Sequence, residues 1–570
     1  MGAFFLFHRE SKFNQKPVEK LFLAKGFDSP EKLSLGAYTL WLYRKQFTDA
    51  LNYFSSGDQL ICACGSLFYK GLGYADSLQA LLSDYADGSL NRSDIGGNYA
   101  LIFFNRRSGL LTFAVDPSFV KCVYFDKNRK LLSTDFLAMT EANHGSYTLN
   151  RTALAENIVT GGLITPDTYA EEIQRIDNIN VTELPGYFPD LTVCDLTPSL
   201  TVSVFNYNDA VADANARIDK YFRSVAPVAD QYGANLGLTG GFDSRLLLVH
   251  AIRHIDRLKV NSFWRENSAE YYNARLLAEA AGREFCSFET APFAIPEPDN
   301  AIDEAFLFFD GQIRSQNRWD EEFNSPSYNR QLSSGYHVGF HGCGGEQYRN
   351  ADRYYRKTNL DTFIKNEWLF RQCGNVFTDK RLEDETFSNI RTKVIRLLGL
   401  KGDRMGLAEL KRFQNEVWIN ANRATRLNVL NQQQFYFAPF TEYKISHAAY
   451  EYVPYLGSSL GFQCDMIRQV SPELASVRNN YGFSFADGEP FRSRLASSLL
   501  CRIPRSLLYT GYFIMKRGRR TRQKDQGEPG PAHTPGGLGL DYDRFRMNPV
   551  LGSSLLSFEF MLKKTALIAK

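Results

Sequence analysis

The chain has 570 residues, too many for a single hydrophobic core, so two or three domains are expected. Apolar residues make up 44% and charged residues 23%, as in ordinary globular proteins, and a net charge of +3 gives no reason to expect nucleic acid or a membrane as partner. Nine scattered cysteines in so long a chain read as reduced thiols of a cytoplasmic protein rather than as a disulfide framework.

The N-terminal run Met1-Gly-Ala-Phe-Phe-Leu-Phe7 is apolar but stops at His8-Arg9-Glu10. It is too short for a signal-peptide core and lacks a preceding basic stretch. Leu6 stands where a myristoylation signal wants Ser or Thr. No apolar run reaches the ~18 residues of a membrane helix, so no integral membrane segment is expected.

Residues 1 to 200 read as strand-rich with few helices, and predict a β-sandwich. Short β-type runs occur at Leu60–Tyr69, Tyr99–Phe104 and Leu110–Val115, the last two joined by the turn Asn105-Arg-Arg-Ser-Gly109. Val123–Phe125 and Lys130–Ser133 flank a second turn, Asp126–Arg129. Cys62 and Cys64 alternate on a strand, which suggests that one of them faces the core.

The pattern changes near Leu196-Thr-Pro-Ser199. Asn208 is the expected cap of an amphipathic helix with Val211, Ala214, Ile218, Phe222 and Val225 on one face. Strands then alternate with helices: Ala234–Leu238, helix Ser244–Ile255, Lys259–Phe263, helix Ala269–Ala281 ended by Gly282, and Glu284–Phe288. That order predicts a parallel, doubly wound sheet, on which ligands bind at the carboxyl ends of strands. Beyond about residue 355 the chain reads as mostly helical. Lys516–Lys524 is strongly basic and reads as a solvated loop, or as a segment that docks an anionic partner or membrane surface with the help of the apolar Leu507–Met515 before it. Gly527–Gly539 is rich in Gly and Pro.

Two turns carry chemistry. Leu238-Thr-Gly-Gly-Phe-Asp-Ser244 ends a strand and opens a helix. Its glycines leave backbone N–H groups free to close on phosphate oxygens, aided by the partly positive helix N-terminus. Asp243 offers a carboxylate to a metal on those phosphates. About a hundred residues on, Val338–Tyr348 again runs from a strand into a glycine turn, with Glu346 as its acid. The two turns can face each other across one nucleotide, with Asp243 and Glu346 sharing Mg2+.

These residues resemble the asparagine synthetase family. Its motif Ser-Gly-Gly-x-Asp-Ser is matched by Thr239–Ser244, with Thr for Ser. Asn261-Ser-Phe263, Ser268-Ala-Glu270, Ala274 and Leu277-Ala-Glu279 are similar to its adenine-side strand and helix. Gly342–Gln347 is similar to its second turn, normally Gly-Glu-Gly-x-Asp-Glu; Ala438-Pro-Phe440 resembles its Val-Pro-Phe, and Gly311-Gln-Ile-Arg314 falls where it places an arginine. The first 190 residues resemble its glutaminase, including Gly65 and Gly96-Gly97.

The resemblance implies an α/β multidomain protein. Residues 1–200 would form an Ntn-hydrolase-like αββα sandwich, residues 206–505 a doubly wound PP-loop ATP pyrophosphatase domain with a helical extension, and residues 506–570 a basic, Gly/Pro-rich tail. It implies ATP held by Leu238, Thr239, Gly240, Gly241, Phe242, Asp243, Ser244, Ser262, Phe263, Gly342, Gly344 and Gly345, and Mg2+ on Asp243 and Glu346. Arg314 would add catalytic charge, although a lone arginine equally fits a surface ion pair. The substrate would be a carboxylate on a small molecule, peptide or glycan. A homodimer is compatible with the resemblance.

Three departures bear on the reaction. The family's glutaminase nucleophile is a cysteine at position 2; here it is Gly2, the nearest cysteine along the chain is Cys62, and Cys64-Gly65 replaces an Asn-Gly pair. Cys343 replaces the glutamate of the second turn and reads as a small buried filler, His341 lying on the opposite side of the strand-turn. No lysine lies in Val477–Phe483, where the family's adenylate lysine is expected; Arg478 or Lys444 can supply the charge. The expectation is an ATP-dependent amide-forming ligase without its own glutaminase, taking nitrogen from ammonia or a substrate amine. The alternative is a nucleotide-binding scaffold relaxed for catalysis.

Overall fold

The fold is that of a computed structural model that describes residues 2–262, 266, 268–287, 306–311, 335–350, 358–365, 377–456, 460–479, 481–500, 562 and 564–568. Phe263, Arg314, the run Leu507–Met515, the basic Lys516–Lys524 and Gly527–Gly539 lie outside the described residues.

The first eleven strands are β1 (Ala3–His8), β2 (Glu31–Leu35), β3 (Tyr38–Tyr43), β4 (Tyr53–Ser56), β5 (Gln59–Tyr69), β6 (Ile95–Asn105), β7 (Leu111–Val115), β8 (Tyr124–Asp126), β9 (Leu131–Ser133), β10 (Gln174–Arg175) and β11 (Leu191–Val193). They form two sheets, ordered β10-β8-β9-β1-β3-β2 and β11-β7-β6-β5-β4. The period of two along each strand explains how the sheets stack. Phe4 and Leu6 of β1 share one core with Leu60, Cys62 and Cys64 of β5, so this core lies between the sheets. Ala3, Phe5 and Phe7 point the other way, into a second core with the helices Phe136–Ala142 and Arg151–Thr160. Ile61, Ala63 and Leu67 of β5 enter a third core with the helices Tyr74–Ala86 and Tyr207–Tyr232.

Four expectations for this half are corrected. β1 is a central strand that the sequence reading did not assign, because burial on both faces removes the alternation that marks a strand. Four helices of seven or more residues, Gln15–Ala24, Tyr74–Ala86, Phe136–Ala142 and Arg151–Thr160, replace the expected few. Cys62 and Cys64 are both fully buried in one core, since residues two apart share a face of the pleat. The long helix is capped by Asn206, whose side chain accepts from Asp209 N–H, and not by Asn208.

The third sheet contains β12 (Ala234–Gly237), β13 (Leu258–Ser262), β14 (Phe285–Ser287) and β15 (Val338–Phe340). A small ribbon pairs β16 (Thr358–Asn359) with β17 (Arg404–Met405), and β18 (Phe435–Phe437) returns to the third sheet. Its order is β14-β13-β12-β15-β18 and every pair is parallel. The predicted parallel sheet is thus present, and β12 and β15, which carry the two glycine turns, are neighbours in it.

The halves share cores rather than meeting at a wet seam. The third core joins Tyr74 and Phe103 to Phe222, Phe340 and Phe435. The helix Ala424–Gln433, buried at every residue but Arg426, supplies a polar seam. Lys121 Nζ donates to Asn428 Oδ1 (2.6 Å), and Lys45 Nζ donates to the carbonyls of Asn431 and Gln434. Lys393 pairs with Glu156 and Asp167 across the same boundary. Among the described residues no helix is long and apolar enough to cross a membrane.

Candidate functional site

The first turn leaves β12 at Leu238, whose N–H donates to Asn261 O on β13. Thr239 N–H and Oγ1 lie 3.2 and 3.1 Å from Ser244 Oγ, so the serine hydroxyl closes the loop on itself. Gly240 has φ +64°, a conformation that costs a side-chain-bearing residue energy and glycine almost none. Helix Phe242–Ala251 starts at once. Its first N–H groups have no partner within the helix, as at any helix start. The Phe242 ring is core, stacked on Phe485.

The second turn leaves β15 at His341. It folds onto the first: a Cβ added to Gly342 would lie 3.2 Å from Asp243 Cβ, and one added to Gly345 only 2.5 Å from Asp243 Cγ. Only glycine permits that approach. Asp243 is the point where the two turns meet, although a hundred residues separate them.

Asp243 accepts from Arg349 NH2 at Oδ2 (2.9 Å) and from Gln463 Nε2 at Oδ1 (2.9 Å). Burial pushes its carboxyl up to about 6; Arg349 pulls it down, and Glu346 adds repulsion. Arg349 NH2 also lies 3.6 Å from Glu346 Oε1, so one guanidinium serves both acids. The guanidinium sits 5.5 Å from the centre of the Phe242 ring, and Lys411 Nζ donates to the Arg349 carbonyl.

Arg245 supports the first turn from behind. It is fully buried and donates to the carbonyls of Gly240 (3.3 Å), Leu474 (3.1 Å), Val477 (2.6 Å) and Arg478 (3.0 Å). Burial pulls its guanidinium down to about 10, still protonated at neutral pH.

The structure brings together Leu238, Thr239, Gly240, Gly241, Phe242, Asp243, Ser244, Gly342, Gly344, Gly345 and Glu346. Ser262 is buried at the carboxyl end of β13, the strand beside β12. Arg478 reaches the site through its backbone, bound by Arg245, while its side chain is exposed. Lys444 is not part of the site: its Nζ donates to Ser93 O and Ile95 O of the N-terminal half, because helix Tyr443–Leu456 turns it that way. Cys343 is buried, and its N–H donates to His341 Nδ1 (3.0 Å), so the imidazole folds over the turn instead of lying opposite it. Arg349, Gln463, Lys411 and Arg245 were missed. Arg245 alone had a local signal, its place directly after the first motif.

At position 2 the chain is packed tight. Gly2 N–H donates to Tyr43 O (3.0 Å). A Cβ there would lie 2.6 Å from Arg44 O, 2.6 Å from the Phe27 ring and 2.9 Å from Gln432 O. The buried thiol of Cys64, and not that of Cys62 as chain order suggested, touches position 2, with Sγ 3.5 Å from Gly2 O. The chain matches no protein-family model and no curated protein sequence.

Proposed function

We propose that this chain is an ATP-dependent ligase of the asparagine synthetase type, which activates a carboxylate and passes it to a nitrogen nucleophile without a glutaminase of its own. The observation that carries this reading is the meeting of the two glycine turns on Asp243 at the carboxyl ends of adjacent parallel strands.

The residues present suit a nucleotide and its magnesium. The Thr239–Gly241 turn and the start of helix Phe242–Ala251 supply N–H groups for phosphate oxygens. Asp243 and Glu346 supply the hard oxygen ligands that Mg2+ prefers. ATP, when bound, would supply an α-phosphorus for carboxylate activation, and Mg2+ held by Asp243 and Glu346 would offset the charge of the phosphates. Arg349 holds Asp243 and Glu346 in register. The packing at Gly2 supports ammonia or a substrate amine as nitrogen source. The acceptor is a small-molecule, peptide or glycan carboxylate, and the scattered cysteines support a cytoplasmic setting for the reaction.

One observation favours a second reading, a nucleotide-binding scaffold. Arg349 already satisfies both carboxylates, as a metal does in a working site. ATP–pyrophosphate exchange with a panel of carboxylates separates the two. Exchange that disappears in Asp243→Asn supports the ligase; tight ATP binding without exchange for any carboxylate supports the scaffold.

A further inference from the structure

Residues Phe413–Ile419 form a stretch of π-helix, a form that is rare and recurs at functional positions. Its wide turns place Asn415 and Glu416 on the wall of a cavity of about 410 Å³ between the two halves. That volume is within the ~300–1,000 Å³ of small-molecule sites. Ser118, Phe119 and Asp195 line one side; Glu416, Tyr443 and His447 line the other.

The chemistry of the wall selects the ligand. Among the described residues three lining carboxylates, Asp177, Asp195 and Glu416, face a single lining cation, Arg412. That guanidinium is committed: Nε donates to Glu416 Oε1 (2.9 Å), NH2 to Glu416 Oε2 (2.8 Å) and NH1 to Leu398 O (3.0 Å). His447 Nε2 lies 3.4 Å from Glu416 Oε1, and burial with Arg412 pulls its imidazole down to about 4, so it stays neutral. A carboxylate oxygen accepts two hydrogen bonds. Among the described residues Glu416 Oε2 accepts one, and so retains an acceptor position. Asp177 is bound by Arg396 and by the N–H groups of Ile179 and Asn180, whereas Asp195 is exposed at the rim. Tyr443 stacks on His447 with ring centres 3.8 Å apart, presenting an aromatic wall. Carboxylates beside an aromatic face suit an ammonium group.

We propose that this cavity binds an organic amine in its ammonium form, with an N–H directed at Glu416 Oε2 and Asp195 drawing it in at the rim. The cavity adjoins the nucleotide turns: Asn415 Nδ2 donates to Gln347 Oε1 (2.7 Å), and Gln347 follows Glu346. Tyr443 comes shortly after the carboxyl end of β18. The amine's role as nitrogen donor rests on the ligase reading; its binding does not.

Calorimetric titration of the full chain without nucleotide tests it, with putrescine, 1,4-butanediol and succinate as probes. Putrescine binds at one site, butanediol about tenfold more weakly, and succinate not at all. Glu416→Gln weakens putrescine about tenfold, and Asp195→Asn, at an exposed position, several-fold. Equal affinity for putrescine and butanediol overturns the proposal, as does putrescine affinity unchanged by both variants. If Glu416→Gln does not fold, Asp195→Asn and salt decide: putrescine affinity falls between low and high ionic strength, and indifference to both overturns the proposal. Pyrophosphate exchange is scored separately. Amine binding without exchange upholds the cavity and removes the ligase; exchange without amine binding does the reverse.

Discussion

Arg349 donates to Asp243 across 2.9 Å, and this pair governs the charge where the two glycine turns meet. Asp243 is a carboxylate whose burial disfavours its charge, beside a second carboxylate that disfavours it further. Among the described residues a single guanidinium compensates both acids, and its removal leaves two like charges facing each other.

Arg349→Met therefore lowers stability in metal-free buffer by about 1–3 kcal/mol, the cost of a charged group left without its partner. Mg2+ can replace the missing charge. The thermal shift produced by Mg2+ is accordingly larger in the variant than in the wild type. A variant with unchanged melting temperature, or one that Mg2+ does not rescue, shows that Arg349 is not the counter-ion.

The raised Asp243 carboxyl sets a pH window. On the proposed reading the ionised form of Asp243 is the one that would hold Mg2+, so Mg2+-dependent ATP binding is expected to rise through pH 6 and level off above pH 7. Stability runs in the opposite sense. A folded carboxyl that holds its proton more tightly than the unfolded chain stabilises fully below the unfolded value, near pH 4, and that contribution is lost as pH rises through about 6. Asp243→Asn flattens both profiles over this range. Persistence of either pH dependence in the variant assigns it to another group.

The close approach of the second turn is tested by Gly345→Ala. Its methyl would lie 2.5 Å from Asp243 Cγ, which Arg349 and Gln463 hold in place. Overpacking costs about 1–3 kcal/mol, and the strain is relieved by parting the two turns. ATP affinity falls in parallel with stability. An alanine variant that binds ATP normally means that the turns separate freely and that their contact is not what forms the site.

The sequence made the two turns legible because their signal is local: strand, small residues, acid, helix within ten positions. The parallel sheet was legible for the same reason, since apolar runs and helical periodicity alternate from Ala234 to Phe288. What was missed acts across distance. Arg349 reaches Asp243 from 106 positions away and Gln463 from 220, and no spacing rule connects them. Lys444 shows the converse, a plausible residue type that its helix turns toward the N-terminal half. β1 lacked alternation because both its faces are buried.

Position 2 gives a test with two readouts. Gly2→Cys installs the residue that a glutaminase of this type would need. The new Cβ meets the Arg44 carbonyl, the Phe27 ring and the Gln432 carbonyl, two of them backbone atoms that cannot rotate away. Stability falls by about 1–3 kcal/mol and no glutamine hydrolysis appears. Hydrolysis in the purified variant would show that the space opens and that one side chain is enough to supply the nucleophile.

Arg245 links the Thr239–Gly241 turn to the segment Leu474–Arg478. Its guanidinium serves the carbonyls of Gly240, Leu474, Val477 and Arg478 and lies 4.4 Å from the Phe485 ring centre. Methionine at this position retains the apolar stem but leaves four carbonyls without their donor. Unsatisfied buried groups cost about 1–3 kcal/mol each, partly offset where water enters, so Arg245→Met loses several kcal/mol in denaturant unfolding. Lysine restores the charge but not the planar fork, and a single ammonium cannot span carbonyls on two separate segments. Arg245→Lys is therefore intermediate in stability, yet as poor as Arg245→Met in ATP binding, because Gly240 is no longer held against Val477. A lysine variant equal to wild type in both measurements would reduce Arg245 to a buried charge with no part in shaping the loop.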